Sequence, residues 1–167
     1  AGSEVGAGLP TQVRRPDFGG GQWRVELLPR PQALDLGRLQ AILVGGGPAP
    51  GINSVISAAT IRAELEGVSV LGIRDGFQWL MQGNVEHVHP LTIDEVSRIH
   101  FRGGSHIGIA RANPTKDPQL LEAAVISLLR LNVSRLVTIG GDDTAFSAMK
   151  LAEKADGRIA VVHVHAG

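Results

Sequence analysis

Two aspartates side by side, Asp142 and Asp143, follow the glycine pair Gly140-Gly141 and precede Thr144. The apolar run Leu136 to Ile139 before them reads as a buried strand, and Thr144 to Ala155 as a helix. The acids therefore stand where a strand ends and a helix begins, the crevice in which ligands of open α/β sheets gather. Two carboxylates repel a phosphate unless a divalent cation lies between them. That makes Asp142 a candidate Mg²⁺ contact, direct or through water. The competing reading of the pentapeptide is that Asp142, Asp143 and Thr144 only cap the helix.

A second junction of the same kind lies upstream. Ala41-Ile42-Leu43-Val44 reads as a strand, Gly45-Gly46-Gly47 breaks it, and Gly51-Ile52-Asn53 opens an apolar-periodic helix. Glycines let the backbone come close to a ligand, and the free N–H groups and dipole of a helix start favour an anion. Phosphate is the natural ligand, although a tight strand–helix turn accounts for the glycines alone. Gly46 and Gly51 match the outer glycines of a Walker loop, but Ile52-Asn53 replaces Lys-Ser/Thr. Gly45-x-Gly47 begins a dinucleotide fingerprint, and Pro50 stands where its last glycine should be. A third loop, Phe101 to Arg111, has glycine breaks flanked by Arg102 and Arg111, whose guanidinium groups could supply the charge of the missing Walker lysine.

The elements that must position these loops alternate from Leu39 onward. Helix Asn53 to Glu66 ends at Gly67, and Val68 to Ile73 is the next strand. Thr92-Ile93-Asp94-Glu95 has the form of a capping box, and Asp117-Pro118 that of an N-cap with proline behind it. The following helix puts Leu121, Ala124, Val125, Leu128 and Leu129 on one face, and Ile159 to Val164 is a further strand. Apolar strands alternating with amphipathic helices predict an α/β fold, a parallel sheet covered on both faces. Residues 1 to about 20 read as a flexible Gly/Pro-rich tail, Trp23 to Leu28 as a short strand, and Pro29 to Gly37 as a connector. A sheet cut at its last strand exposes an unpaired edge, from which a homo-oligomer is expected.

Lys plus Arg and Asp plus Glu are both 16 in 167 residues, a balance that argues against broad nucleic-acid or acidic-membrane binding. No cysteine is present, which excludes thiolate chemistry, disulfides and cysteine-held zinc and fits the cytoplasm. No apolar run reaches membrane-spanning length. His87 with His89, and His163 with His165, share an i,i+2 spacing on one strand face, but neither pair has an evident third metal ligand. Phe77, Trp79, Leu80 and Met81 read as a packing cluster.

In this order the loops resemble those of the phosphofructokinase family. Gly46-Gly47-Pro48-Ala49-Pro50-Gly51-Ile52-Asn53 is similar to its first glycine loop, and Gly72-Ile73-Arg74-Asp75-Gly76-Phe77 to the segment after its second strand. Gly103-Gly104-Ser105 through Arg111, with Asn113-Pro114, resembles its second loop, and Gly140-Gly141-Asp142-Asp143-Thr144 its third. The likeness runs from about Ala41 to Val164, and the first forty residues add nothing to it. It implies a Rossmann-like parallel sheet, the donor-binding half of that fold. It also implies Mg²⁺-dependent phosphoryl transfer to the 1-hydroxyl of fructose 6-phosphate, giving fructose 1,6-bisphosphate. Gly46, Gly47, Gly141 and Thr144 would line the donor, Arg111 would bind its phosphates, and Asp142 would hold the metal.

Asp143 is the discriminating position of the resemblance. ATP-using members carry glycine there and pyrophosphate-using members aspartate, since a carboxylate crowds and repels the α-phosphate of ATP. Pro48 also resembles the pyrophosphate-using branch, so pyrophosphate is the expected donor and ATP the alternative. The family's base-bearing segment, Pro-Lys-Thr-Ile-Asp-Asn-Asp, has no counterpart after Val164, where the chain reads His165-Ala166-Gly167. The resemblance thus assigns a catalytic base to no residue here. The expected division is residues 1–38 as an extension and 39–167 as a donor-binding domain ending before that segment, inactive alone. A non-catalytic phosphate or nucleotide module is the reading from another class.

Overall fold

All four residues of the run Ala41–Val44 are fully buried, yet they serve two separate cores. Ala41 and Leu43 pack with one, Ile42 and Val44 with the other, because successive side chains of a strand point to opposite faces. The computed structural model describes residues 24–27 and 39–166. In chain order its strands are β1 (Arg24–Leu27), β2 (Leu39–Val44), β3 (Ser69–Ile73), β4 (Val88–Leu91), β5 (Arg135–Gly140) and β6 (Ala160–His165). The helices are α1 (Ile52–Leu65), α2 (Ile93–Val96), α3 (Pro118–Arg130) and α4 (Asp142–Ala155), with 3₁₀ turns at Leu80–Gln82 and Pro114–Lys116.

The six strands form one sheet in the order β1-β6-β5-β2-β3-β4. Its four central strands are parallel, whereas β1 and β4 pair antiparallel at the two edges. The expected parallel sheet is therefore a mixed one. Arg24–Leu27 fall inside the short strand read at Trp23 to Leu28 and cover the outer side of β6, Val25 opposite Val164. The unpaired edge expected at the last strand does not exist, because residues from the N-terminal side occupy it. The rest of the N-terminal segment, including the tail and the Pro29 to Gly37 connector, lies outside the described residues.

β4 is the strand that periodicity missed. It has four residues, and its Pro90 lacks a ladder N–H, which an edge strand tolerates. From β2 the chain moves to β3 on one side, then returns past β2 to form β5 on the other. That reversal sends the crossover helices to opposite faces. Ile52, Ile56 and Ala63 of α1 pack with Val96 of α2 on one face. Ala124, Val125 and Leu128 of α3 and Ala148, Leu151 and Ala155 of α4 fill the other. Phe77 and Leu80 are buried there with Met81 against them, as the packing-cluster reading expects.

Helix boundaries follow local chemistry. Asp117 caps α3 by accepting from the Gln119 N–H at 2.8 Å, with Pro118 in the first turn. Asp142 and Asp143 belong to the first turn of α4, two residues earlier than the sequence reading places its start. Thr92 accepts from the Glu95 N–H at 3.4 Å, but the other half of the capping box is not made. The Glu95 carboxylate goes to two histidines instead, described below. Leu128 is fully buried between α3 and the sheet, so Leu128→Ala is expected to lower stability by about 2–5 kcal/mol in a denaturant titration.

Candidate functional site

Three loops meet at the C-terminal ends of β2 and β5. The Gly45 N–H donates to the Ile139 carbonyl at 2.9 Å, and the Gly46 N–H to the Ala110 carbonyl at 3.3 Å. The first bond ties the glycine loop after β2 to β5. The second ties it to the segment that delivers Arg111. Gly46 holds φ +84°, a left-handed conformation that a side chain strains, and this turn directs the next residues along the cleft.

The third loop closes on Thr144, which is buried under the other two. A Cβ on Gly140 would stand 2.5 Å from Thr144 Oγ1 and 2.7 Å from the Gly45 carbonyl oxygen, so only a residue without one fits. Thr144 is thus a keystone between Gly45 and Gly140 as well as a cleft residue. The Ala166 N–H donates to the Gly140 carbonyl at 2.9 Å and secures the end of β6 beside them.

The cleft between these loops encloses about 690 Å³ and is lined by Gly46, Gly47, Arg111, Gly141, Asp142, Asp143 and Thr144, with Pro48, Asn113 and Ser147 among others. The residues that the resemblance assigns to the donor and the metal all lie on its wall. Arg102, flanking the same loop as Arg111, does not line it; its carbonyl instead accepts from Asn53 Nδ2 at 2.9 Å. Arg111 is exposed and, among the described residues, forms no ion pair. A Cβ placed on Gly47 would be 3.3 Å from Arg111 Nη2, so the guanidinium lies close over the first loop.

The start of α4 has no side-chain cap: Gly141 holds the N-cap position, and Asp142 and Asp143 leave the first-turn N–H groups uncapped. The helix-capping reading of this pentapeptide is therefore overturned. Free N–H groups and the positive end of the dipole open onto the cleft. The Asp142 side chain is 100% exposed, and its Oδ1 lies 3.8 Å from His165 Nδ1. Exposed carboxylate oxygens beside water are what a hard cation such as Mg²⁺ takes, with phosphate oxygens completing its shell. Asp142 and its neighbour Asp143 fit that role without rearrangement of the fold.

Two cleft residues escaped the reading of individual residues. Asn113 Oδ1 accepts from the Thr115 N–H at 2.8 Å and Thr115 Oγ1 at 2.6 Å, which leaves its amide nitrogen to offer. Ser147 donates to the Asp143 carbonyl at 2.9 Å, one helical turn on. Its i+4 spacing from Asp143 is the signal that could have found it. The first histidine pair separates, whereas the rings of His163 and His165 stay together, their centroids 6.1 Å apart. His87 stacks on Trp79 with ring centroids 3.9 Å apart, while His163 is buried against Thr138 Oγ1 at 2.9 Å.

The cleft lies at the reversal point of an open α/β sheet, walled by glycine loops, an arginine and two acids, where ligands of this architecture gather. The family model for phosphofructokinase matches residues 40–166, and the chain belongs to that family. It is 56% identical over 123 residues to the pyrophosphate–fructose 6-phosphate 1-phosphotransferase of Thermotoga maritima, covering 74% of this chain and 29% of that one. It is 34% identical over 114 residues to the ATP-dependent 6-phosphofructokinase of Lysinibacillus sphaericus, covering 68% of this chain and 35% of that one. The chain thus spans about a third or less of these relatives. Phosphofructokinase from Pichia pastoris in the T-state superposes with a TM-score of 0.72 at 21% identity, over 83% of this chain and 16% of that one. Among the described residues no helix is long and apolar enough to cross a membrane.

Because Thr144 leaves no space at Gly140, Gly140→Ala is expected to cost about 1–3 kcal/mol of stability. Urea unfolding of the two proteins side by side measures it, and an unchanged midpoint would show that the three-loop junction is looser than described.

Proposed function

We propose that this chain is the donor-binding part of a pyrophosphate-dependent 6-phosphofructokinase, which phosphorylates the 1-hydroxyl of fructose 6-phosphate. The observation that carries the reading is the convergence on one cleft of an arginine with no ion pair among the described residues, an uncapped helix start and an exposed pair of acids. Higher identity to a pyrophosphate-named relative than to an ATP-named one supports the choice of donor.

In this reading the N–H groups at the start of α4 and the main chain at Gly46, Gly47 and Gly141 hold donor oxygens. Arg111 spreads its guanidinium over the diphosphate and compensates charge as the bridging bond breaks. Asp142 holds Mg²⁺, which when bound supplies positive charge against the phosphate oxygens. Asp143 stands where a third phosphate and a nucleoside would pass, and its charge selects the shorter donor. Asn113 orients the same ligand through its remaining amide N–H groups. Positioning of this kind is the main contribution a protein makes to phosphoryl transfer.

Calorimetric titration of the chain with pyrophosphate, with and without Mg²⁺, tests the site. Uptake is expected only with Mg²⁺, and Arg111→Ala is expected to weaken it about ten- to a hundredfold through loss of a charge-assisted hydrogen bond. Asp142→Asn is expected to abolish the Mg²⁺ dependence. Asp143→Gly is expected to raise the affinity for ATP relative to pyrophosphate. Tighter binding of Mg–ATP than of Mg–pyrophosphate by the parent chain, unchanged by Asp143→Gly, would overturn the donor assignment.

A further inference from the structure

On the α1 side of β4, away from the cleft, two imidazoles converge on a single carboxylate. His89 Nε2 lies 2.5 Å and His106 Nε2 2.9 Å from the same atom, Glu95 Oε1. The three candidate ligand atoms all lie within 4.8 Å of one another. We infer that His89, Glu95 and His106 form a site for a divalent ion of the zinc class.

The three ligands come from three elements, each fixed independently. His89 sits in β4 opposite Gly72 of β3. Glu95 is held by α2, whose Thr92 cap engages its N–H. His106 lies on the loop toward Arg111, where its main-chain N–H donates to Asn53 Oδ1 at 2.7 Å. Asn53 is itself buried at the start of α1, so the loop is anchored at the position that presents the imidazole. The imidazole planes are inclined by 71°, which lets both Nε2 lone pairs reach one point without stacking.

Ligand chemistry selects the ion. Two imidazole nitrogens with one carboxylate oxygen suit Zn²⁺ and its neighbours Co²⁺ and Ni²⁺, whereas Mg²⁺ takes oxygen. In a tetrahedral zinc site, bonds of 2.0–2.2 Å put ligand atoms about 3.3 Å apart, so each imidazole nitrogen need draw back from Glu95 by only roughly half an ångström to an ångström. The side chains are 36%, 29% and 26% exposed for His89, Glu95 and His106, so an ion can enter and water can complete its shell. On binding, each Nε2 releases to solvent the proton it donates to Glu95, which frees its lone pair for the ion and leaves a neutral imidazole with its ring proton at Nδ1.

The state of the carboxylate agrees with that role. Partial burial raises the Glu95 pKa, but hydrogen bonds and charge from His106 and His89 outweigh it and hold the group below its ordinary value. An ion here would staple β4, α2 and the His106 loop together, clamping the far end of the segment whose other end carries Arg111. This inference stands apart from the donor reading, since it shares no residue with the cleft.

The test is competition for Zn²⁺ between the chain and a chromogenic chelator, with Co²⁺ substitution read by its visible d–d absorption. One ion per chain is expected, with a rise in melting temperature on zinc addition. His89→Gln and His106→Gln, which keep polar side chains of similar reach, are each expected to weaken uptake at least tenfold, by comparison with the roughly 10- to 100-fold effects of outer-shell changes. His100→Ala, outside the trio, is expected to leave uptake unchanged, and circular dichroism confirms that each variant is folded. Absence of stoichiometric Zn²⁺ uptake would overturn the inference, and so would uptake undiminished in both glutamine variants.

Discussion

Main-chain hydrogen bonding at the ends of β2 and β5 is the constraint on which this molecule depends. Gly45 and Gly46 spend their N–H groups on Ile139 and Ala110, and those two bonds decide that three distant loops share one wall. Thr144 then fills the angle between Gly45 and Gly140 so closely that neither glycine can carry a Cβ without displacing it. The cleft is therefore built by backbone and by the absence of side chains. Among the described residues Arg111 forms no ion pair, and Asp142 meets only His165, at 3.8 Å, because the frame does not need these groups. Preorganisation of that kind leaves charge available for a ligand.

The sheet explains why the cleft lies where it does. Parallel pairing of β2 with β5 and β3 places their C-terminal ends together, and the reversal about β2 opens a crevice that helices on opposite faces leave uncovered. The helix start on the cleft belongs to α4, whose residue at the N-cap, Gly141, has no side chain to satisfy the first-turn N–H groups. A serine or aspartate cap there would occupy the donors that an anion requires. By contrast, α3 is capped by Asp117 and buries Ala124, Val125 and Leu128 against the core. The same element type thus closes its first turn with a side chain in α3 and leaves it open in α4.

Much of this was legible in short windows of the chain. Gly46, Gly47 and Gly141, the Asp142-Asp143 pair and Arg111 stand out because few other residue types suit a close backbone approach or a phosphate charge, and all of them line the cleft. Strand and helix periodicity located the central strands and the major helices to within a residue or two. β4 escaped because four residues with a proline carry too little alternation to register. The mixed character of the sheet escaped for a related reason: edge strands are specified by what they pair with.

By itself, then, the order of residues determined the local chemistry: which turns are glycine-rich strand–helix junctions, which helices carry capping residues, and which faces are apolar. These depend on neighbours within about one helical turn or one strand. Tertiary structure alone decided which of those pieces meet. It brought Arg111 and not Arg102 to the cleft, set β1 against β6, and drew Glu95 from a capping role into contact with His89 and His106. Those outcomes follow from strand order and helix placement, which join residues tens of positions apart, and no local window of sequence carries that information.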